Sequence, residues 1–163
     1  MIARHSPSHM LPVFRSVAAF VLACALLLVP AVVRAAGDEP IDISATDQMK
    51  FDVTDISGKV GQKLTIMLTN DGSLPKAAMA HNIVILKPGT DAMAFVGAAS
   101  KRAADGYLPG DEQAKSMIVH TRLLGPGEDD TISFTPAEPG VYEYVCTFPA
   151  HAAAGMRGKI TVK

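Results

Sequence analysis

Cysteine is nearly absent from the chain: its 163 residues contain two, Cys24 and Cys146. Cys24 lies inside an apolar leading run, so the body of the chain has one thiol and cannot close an internal disulfide. A lone cysteine is buried filler, an intermolecular link or a reactive group. An excess of one charge is also lacking, with 15 Lys and Arg against 16 Asp and Glu. The first 36 residues hold Arg4, Arg15 and Arg34 and no acid, which leaves 12 basic and 16 acidic residues, a net of −4. That mild acidic bias argues against nucleic acid as a partner, because phosphate binding favours a basic face. No internal repeat and no low-complexity tract follows the leading segment.

The leading segment has its own logic. Arg4 and Arg15 flank an apolar run over residues 17–33, broken by Pro30 and followed by Arg34-Ala35-Ala36-Gly37. A basic flank, an apolar stretch and small residues make a secretory signal peptide. The expectation is therefore a leader over 1–36, export, and one domain over 37–163 with no stable membrane insertion once the leader is removed. An uncleaved anchor is the competing reading, since the run is near the lower length limit for a spanning helix. Val21-Leu22-Ala23-Cys24 loosely resembles a lipoprotein box, but it sits inside the apolar run and not before a polar linker.

Beyond the leader, apolar residues recur at a spacing of two. Ile41 and Ile43, Phe51 and Val53, then Leu64, Ile66 and Leu68 each alternate with polar or smaller neighbours. So do Ile132 and Phe134, Tyr142, Tyr144 and Cys146, and Ile160 and Val162, while Ile83 and Ile85 flank Val84, and Met117 and Val119 flank Ile118. Period two over four to eight residues predicts half-buried strands. Ser57-Gly58, Asn70-Asp71-Gly72, Lys87-Pro88-Gly89, Gly125-Pro126-Gly127 and Glu138-Pro139-Gly140 supply turns between them. About eight short strands predict an all-β, antiparallel sandwich or barrel. Residues 91–104, rich in Ala and opened by Asp91, predict a short helical flap.

Chemistry concentrates near the end of the chain. Cys146, His151 and Met156 follow one another with four residues between each pair. The pattern places a strand end at Cys146, a loop carrying His151 and Met156, and a new strand near Gly158. Two histidines and a cysteine in a plane, with a long axial Met, are the donor set of blue copper sites. The missing imidazole is assigned to His81, at the start of the strand that follows the turn-rich residues 74–80. His120 remains, partly exposed at a strand end. Cys and His also suit zinc, but Met favours copper.

These segments resemble the azurin branch of the cupredoxins. The similarity runs through Leu74-Pro75-Lys76, Met79-Ala80-His81-Asn82, Tyr107-Leu108-Pro109, Val119-His120-Thr121-Arg122-Leu123-Leu124-Gly125 and Cys146-Thr147-Phe148-Pro149. The resemblance spans residues 40–163. It implies a Greek-key sandwich or barrel binding one copper ion through His81, Cys146, His151 and Met156. It also implies that the Asn82 side chain ties the two ligand-bearing loops together, and that backbone N–H groups near Asn82 and Phe148 donate to the thiolate, with Thr147 and Phe148 beside it. Several positions depart from azurin. Its disulfide has no counterpart, the His-to-Met loop is one residue longer, as in plastocyanin and auracyanin, and Ala80 and Ala150 stand for glycines. Ile83 stands for a buried Trp.

The functional expectation is a mobile one-electron carrier that exchanges electrons with redox proteins and is not an enzyme; export together with the azurin-like body implies the periplasm as its location. Met79, Phe148, Pro149, Ala152, Ala153 and Ala154 are expected to form an exposed apolar patch for partner docking, centred on His151. A copper-delivery or storage protein of the same fold is the alternative. It would need an open, exchangeable site and extra Met or His clusters, which the scattered methionines do not form.

Overall fold

A computed structural model describes Arg34–Ala35 and residues 39–163. The expected leader, apart from those two residues, lies outside the described residues. Among them the strands are β1 (Arg34–Ala35), β2 (Ile41–Thr46), β3 (Lys50–Phe51), β4 (Asp55–Gly58), β5 (Leu64–Asn70), β6 (Val84–Leu86), β7 (Met117–His120), β8 (Asp129–Phe134), β9 (Gly140–Val145) and β10 (Arg157–Val162). Three short helices, α1 (Lys76–Met79), α2 (Ala92–Ala99) and α3 (Asp111–Ala114), lie in the connections. None of the described helices is long and apolar enough to cross a membrane.

The strands form two sheets, in the orders β1-β4-β10-β9-β6-β7 and β3-β2-β5-β8. Both sheets are mixed. β2 pairs with β5 in parallel and β4 with β10 in parallel, while β9 pairs antiparallel with both β10 and β6. Neither sheet closes on itself, so the sandwich of the expectation stands and the all-antiparallel pairing and the barrel do not. The turn expected at Ser57-Gly58 is instead the end of β4, hydrogen-bonded in register with Thr161 and Val162.

Alternation explains why the sheets meet. β5 buries Leu64, Ile66, Leu68 and Asn70 and turns Thr65, Met67 and Thr69 outward. β2 does the same with Ile41, Ile43 and Ala45. The apolar ones join Ile56, Ile85, Tyr142, Tyr144 and Ile160 of the other sheet, with Ile83 and Cys146 beside it, in one continuous core. Removing such side chains from water is the main driving force of the fold.

The six-stranded sheet is also covered on its outer face. Val84, Leu86 and Val145 point there and pack against Ala92, Phe95 and Val96 of α2. The helix begins where Asp91 accepts hydrogen bonds from the Met93 and Ala94 N–H groups, both at 3.0 Å, which satisfies two otherwise unpaired donors. Its buried residues, Ala92, Phe95, Val96 and Ala99, follow helical spacing. β6 is therefore buried on both faces, which is why Val84-Ile85-Leu86 is apolar throughout.

One glycine is required by packing. Gly158 of β10 lies opposite Tyr144 of β9. A Cβ there would run into the Tyr144 ring and hydroxyl and stand 2.7 Å from the Thr54 carbonyl oxygen. The ring is held over it because Tyr144 donates to the Val53 carbonyl at 2.6 Å. Gly97 of α2 is the opposite case, with nothing within 4 Å of its missing Cβ. Gly158→Ala should lower stability by about 2 kcal/mol through overpacking, whereas Gly97→Ala should raise it by roughly 0.5–1 kcal/mol through helix propensity. Urea unfolding midpoints of the two variants check this pair of opposite signs.

Candidate metal centre

The strand order brings the expected donors to one end of the sandwich. β6 and β9 are antiparallel neighbours, so the start of β6 and the end of β9 coincide. His81 lies three residues before β6, and Cys146 directly follows β9. His81 is fixed through its backbone: its N–H donates to the Leu124 carbonyl at 3.0 Å, and the Leu124 N–H returns a bond at 2.7 Å. Two residues on, the Ile83 N–H donates to the Thr121 hydroxyl at 2.9 Å, and the Thr121 N–H to the Ile83 carbonyl at 2.9 Å. The stretch at 74–80, expected as turns, contains one helical turn, α1, anchored by a Lys76–Glu128 ion pair at 2.8 Å.

The loop from β9 to β10 carries the rest. The His151 N–H donates to the Phe148 carbonyl at 3.2 Å across Pro149 and Ala150. Ala150 has φ +70, and proline cannot take a positive φ, so Phe148-Pro149-Ala150-His151 is a type II turn. That turn favours glycine at its third position, and the departure from azurin noted at Ala150 falls there. The Met156 N–H donates to the His151 carbonyl at 3.0 Å, and the Cys146 N–H to the Met156 carbonyl at 3.1 Å. The loop is thereby cross-tied through the backbones of all three expected donors.

His81, Cys146 and His151 each offer a donor atom, and those atoms all lie within 4.8 Å of one another. The Cys146 sulfur is 3.5 Å from His151 Nδ1, and the two imidazole rings are 4.9 Å apart at their centroids. All three side chains are at most 2 % exposed, and Met156 is fully buried in the same core. Neither ring nitrogen of His81 has a hydrogen-bond partner. A buried imidazole with both nitrogens unserved is costly unless something else binds it. A soft or borderline cation among two imidazoles and a thiol meets that need, and the donor set fits copper.

Asn82 joins the two loops. Its Nδ2 donates to the Thr147 hydroxyl at 2.8 Å, and its Oδ1 accepts from the Thr147 N–H at 2.8 Å. Asn82 follows His81 and Thr147 follows Cys146, so the pair locks the spacing between the two donors. Burial pushes the Cys146 thiol up to about 12, against the Asn82 and Phe148 backbone N–H groups, which draw it down. Burial also dominates at the imidazoles. It lowers His151 to about 4, helped by the charge of His81. It lowers His81 too, against the Asp47 carboxylate. The pocket favours two neutral imidazoles and a neutral thiol.

The expected docking patch is corrected in part. Met79 and Pro149 are half-buried and Ala153 and Ala154 exposed, but Ala152 is 2 % exposed and Phe148 7 %. Ala152 turns inward to the core under α2, and Phe148 packs into the main core. His151 is shielded to the same degree as Ala152. His120 lies apart from the cluster, its Nδ1 2.9 Å from the Thr121 carbonyl. The Thr121 and Leu124 clamps on the His81 segment were not anticipated from sequence, because a hydrogen bond across 38 or 43 residues leaves no local pattern.

Comparison with known proteins agrees with this geometry. The family described as "Copper binding proteins, plastocyanin/azurin family" matches residues 40–163. Azurin of Pseudomonas chlororaphis is 36 % identical over 128 residues, 76 % of this chain and 97 % of that protein. Outer membrane protein H.8 of Neisseria gonorrhoeae is 35 % identical over 130 residues, 78 % of this chain and 69 % of that protein. The crystal structure of dithionite-reduced auracyanin from Roseiflexus castenholzii superposes with a TM-score of 0.69 at 34 % identity, covering 78 % of this chain and 99 % of that one. Sequence and fold agree over the same span, and the chain belongs to the plastocyanin/azurin family, a cupredoxin of the blue copper, electron-carrying kind.

Proposed function

We propose that the protein is an exported, periplasmic carrier of single electrons between redox proteins, with its copper held by His81, Cys146, His151 and Met156, and that it catalyses no reaction of its own. The observation that carries this reading is the dry cluster of His81, Cys146 and His151, with both His81 nitrogens unserved. Copper bound there would supply a Cu(I)/Cu(II) couple. The chain's own contribution would be to present two neutral imidazoles and the Cys146 sulfur, whose proton would leave to solvent on metal binding, and to hold the donors still. The Asn82–Thr147 pair and the Leu124 bridge to His81 restrain the first half of the cage, and the type II turn restrains the second. A restrained cage limits the rearrangement that accompanies electron transfer. The near-complete burial of the donors also weighs against delivery or storage, which calls for a site that exchanges its metal readily.

The leader over 1–36 supports export, and a partner would approach over Met79, Pro149 and Ala153, the accessible part of the expected patch beside His151. Ala152, being buried, has no part in that contact. With Cu(II) added, the protein should show an intense visible band toward the red that reductant bleaches reversibly and that Cys146→Ser abolishes. Tight zinc or Cu(I) binding without such a band would defeat the carrier reading. Ala153→Asp should slow electron exchange with a redox partner several-fold while leaving the band unchanged, as measured by stopped-flow absorption. An equal rate would remove the docking surface.

Acid and base should both weaken the copper-free fold. Between the ordinary histidine value of 6.5 and about 4, the unfolded chain binds more protons than folded His151 does, so stability falls as pH falls. Folded Cys146 keeps its proton to about 12 while the unfolded thiol ionises near 9.0, so stability falls as pH rises through that window. Urea midpoints of the copper-free protein should therefore peak between roughly pH 6.5 and 9, and the acid limb should shrink in His151→Gln. A midpoint still rising above pH 9 would contradict the thiol assignment.

A further inference from the structure

The Tyr107-Leu108-Pro109 motif has no part in the donor set, yet its first residue holds an unfavourable conformation. Tyr107 has φ +60 and directly follows Gly106 at φ +66. Two left-handed residues in succession reverse the chain after the short 3₁₀ turn Ala103–Asp105. The reversal is fastened by the Tyr107 N–H on the Arg102 carbonyl at 3.0 Å and by an Arg102–Asp105 ion pair at 2.8 Å. Glycine occupies this region freely, whereas the Cβ of a bulky residue clashes there. Such strain persists only where the surroundings over-determine it.

The side chain shows what is gained. The Tyr107 ring meets the Phe148 ring edge to face, with centroids 5.0 Å apart and planes at 66°. Phe148 in turn lies 4.8 Å from the His151 imidazole. A file of three rings thus runs from the Gly106-Tyr107 turn to the second imidazole of the metal loop. Phe148 also opens the type II turn, and its carbonyl accepts the His151 N–H. Holding the Phe148 ring therefore holds the turn that aims His151.

We propose that Tyr107 is a positioning residue for the metal loop: the turn at Gly106-Tyr107 maintains a strained backbone so that the Tyr107 ring braces Phe148 and keeps residues 148–156 closed around the site. This deepens the metal-binding reading of the loop and rests on it, but the bracing itself can be measured with no metal present. Edge-to-face aromatic contacts are strong enough to favour the closed loop by about a factor of ten.

The test is amide hydrogen exchange, by NMR, on the full chain without copper. In Tyr107→Leu the His151 and Met156 amides should exchange about tenfold faster, while strand amides such as Ile66 and Tyr144 keep their rates. Tyr107→Phe should match the unaltered protein, because the ring makes the contact and not the hydroxyl. Tyr107→Gly relieves the backbone while deleting the ring, so it should open the loop as Tyr107→Leu does even where it leaves the fold as stable. Uniform acceleration at every amide in both Leu and Gly variants would reduce Tyr107 to a general stabilising residue and overturn the proposal. So would unchanged loop exchange, or Tyr107→Phe behaving like Tyr107→Leu. Failure of the visible copper band with these exchange results intact would sink the metal reading and leave the bracing in place.

Discussion

The exchange of hydrogen bonds between Asn82 and Thr147 is the joint on which the site depends. It connects segments 65 residues apart in the chain. One end follows His81 and the other follows Cys146, so any slip between the strands would change the distance between imidazole and thiol. Both partners are at most 1 % exposed, and an unmet amide there would carry a full desolvation cost. The alternative to the bond is therefore worse than its absence would be at a surface. Register in β6 and β9 and geometry at the donors are set by the same few atoms.

The sandwich reinforces this joint from two sides. Val145 points into the small core under α2, and Cys146, its neighbour, points into the main core between the sheets. The end of β9 is thus gripped on both faces at the step where it passes from strand to loop. Dryness follows from the same packing, and it governs charge. Burial is the first cause of the shift at His81, Cys146 and His151, and in each it opposes the charged form. A neutral cage is the cheapest state the protein can adopt alone, and only a cation can repay ionising the thiol inside it.

Much of the architecture was legible in the sequence because it is written in short-range patterns. The period-two runs correspond to β2, β5, β8, β9 and β10, and Asp91 marks the start of α2. The spacing of Cys146, His151 and Met156 is also local, since one loop holds all three. What the sequence concealed is non-local. The parallel pairings of β2 with β5 and of β4 with β10 depend on which distant strands meet. β4 was hidden because Ser57-Gly58 has turn composition, yet it is held in a strand by its partner. Ala152 looks like a surface residue of a small-residue loop, and only the position of α2 shows that it faces inward. The left-handed backbone at Ala150 and Tyr107 contradicts the usual preference of those residue types, so no propensity rule could have found it.

The burial of Cys146 also decides how the protein fares while it waits for metal. Thiols are attacked by oxidants and disulfides as thiolates, and in proportion to their accessibility. Cys146 is fully enclosed, and that burial pushes its thiol up to about 12. At neutral pH almost none of it is in the reactive form, and no oxidant of appreciable size can reach it. The same packing that dries the site thus also guards its thiol. Cross-linking to a second copy and oxidation to sulfinic acid both need the exposed thiolate, and the fold withholds it.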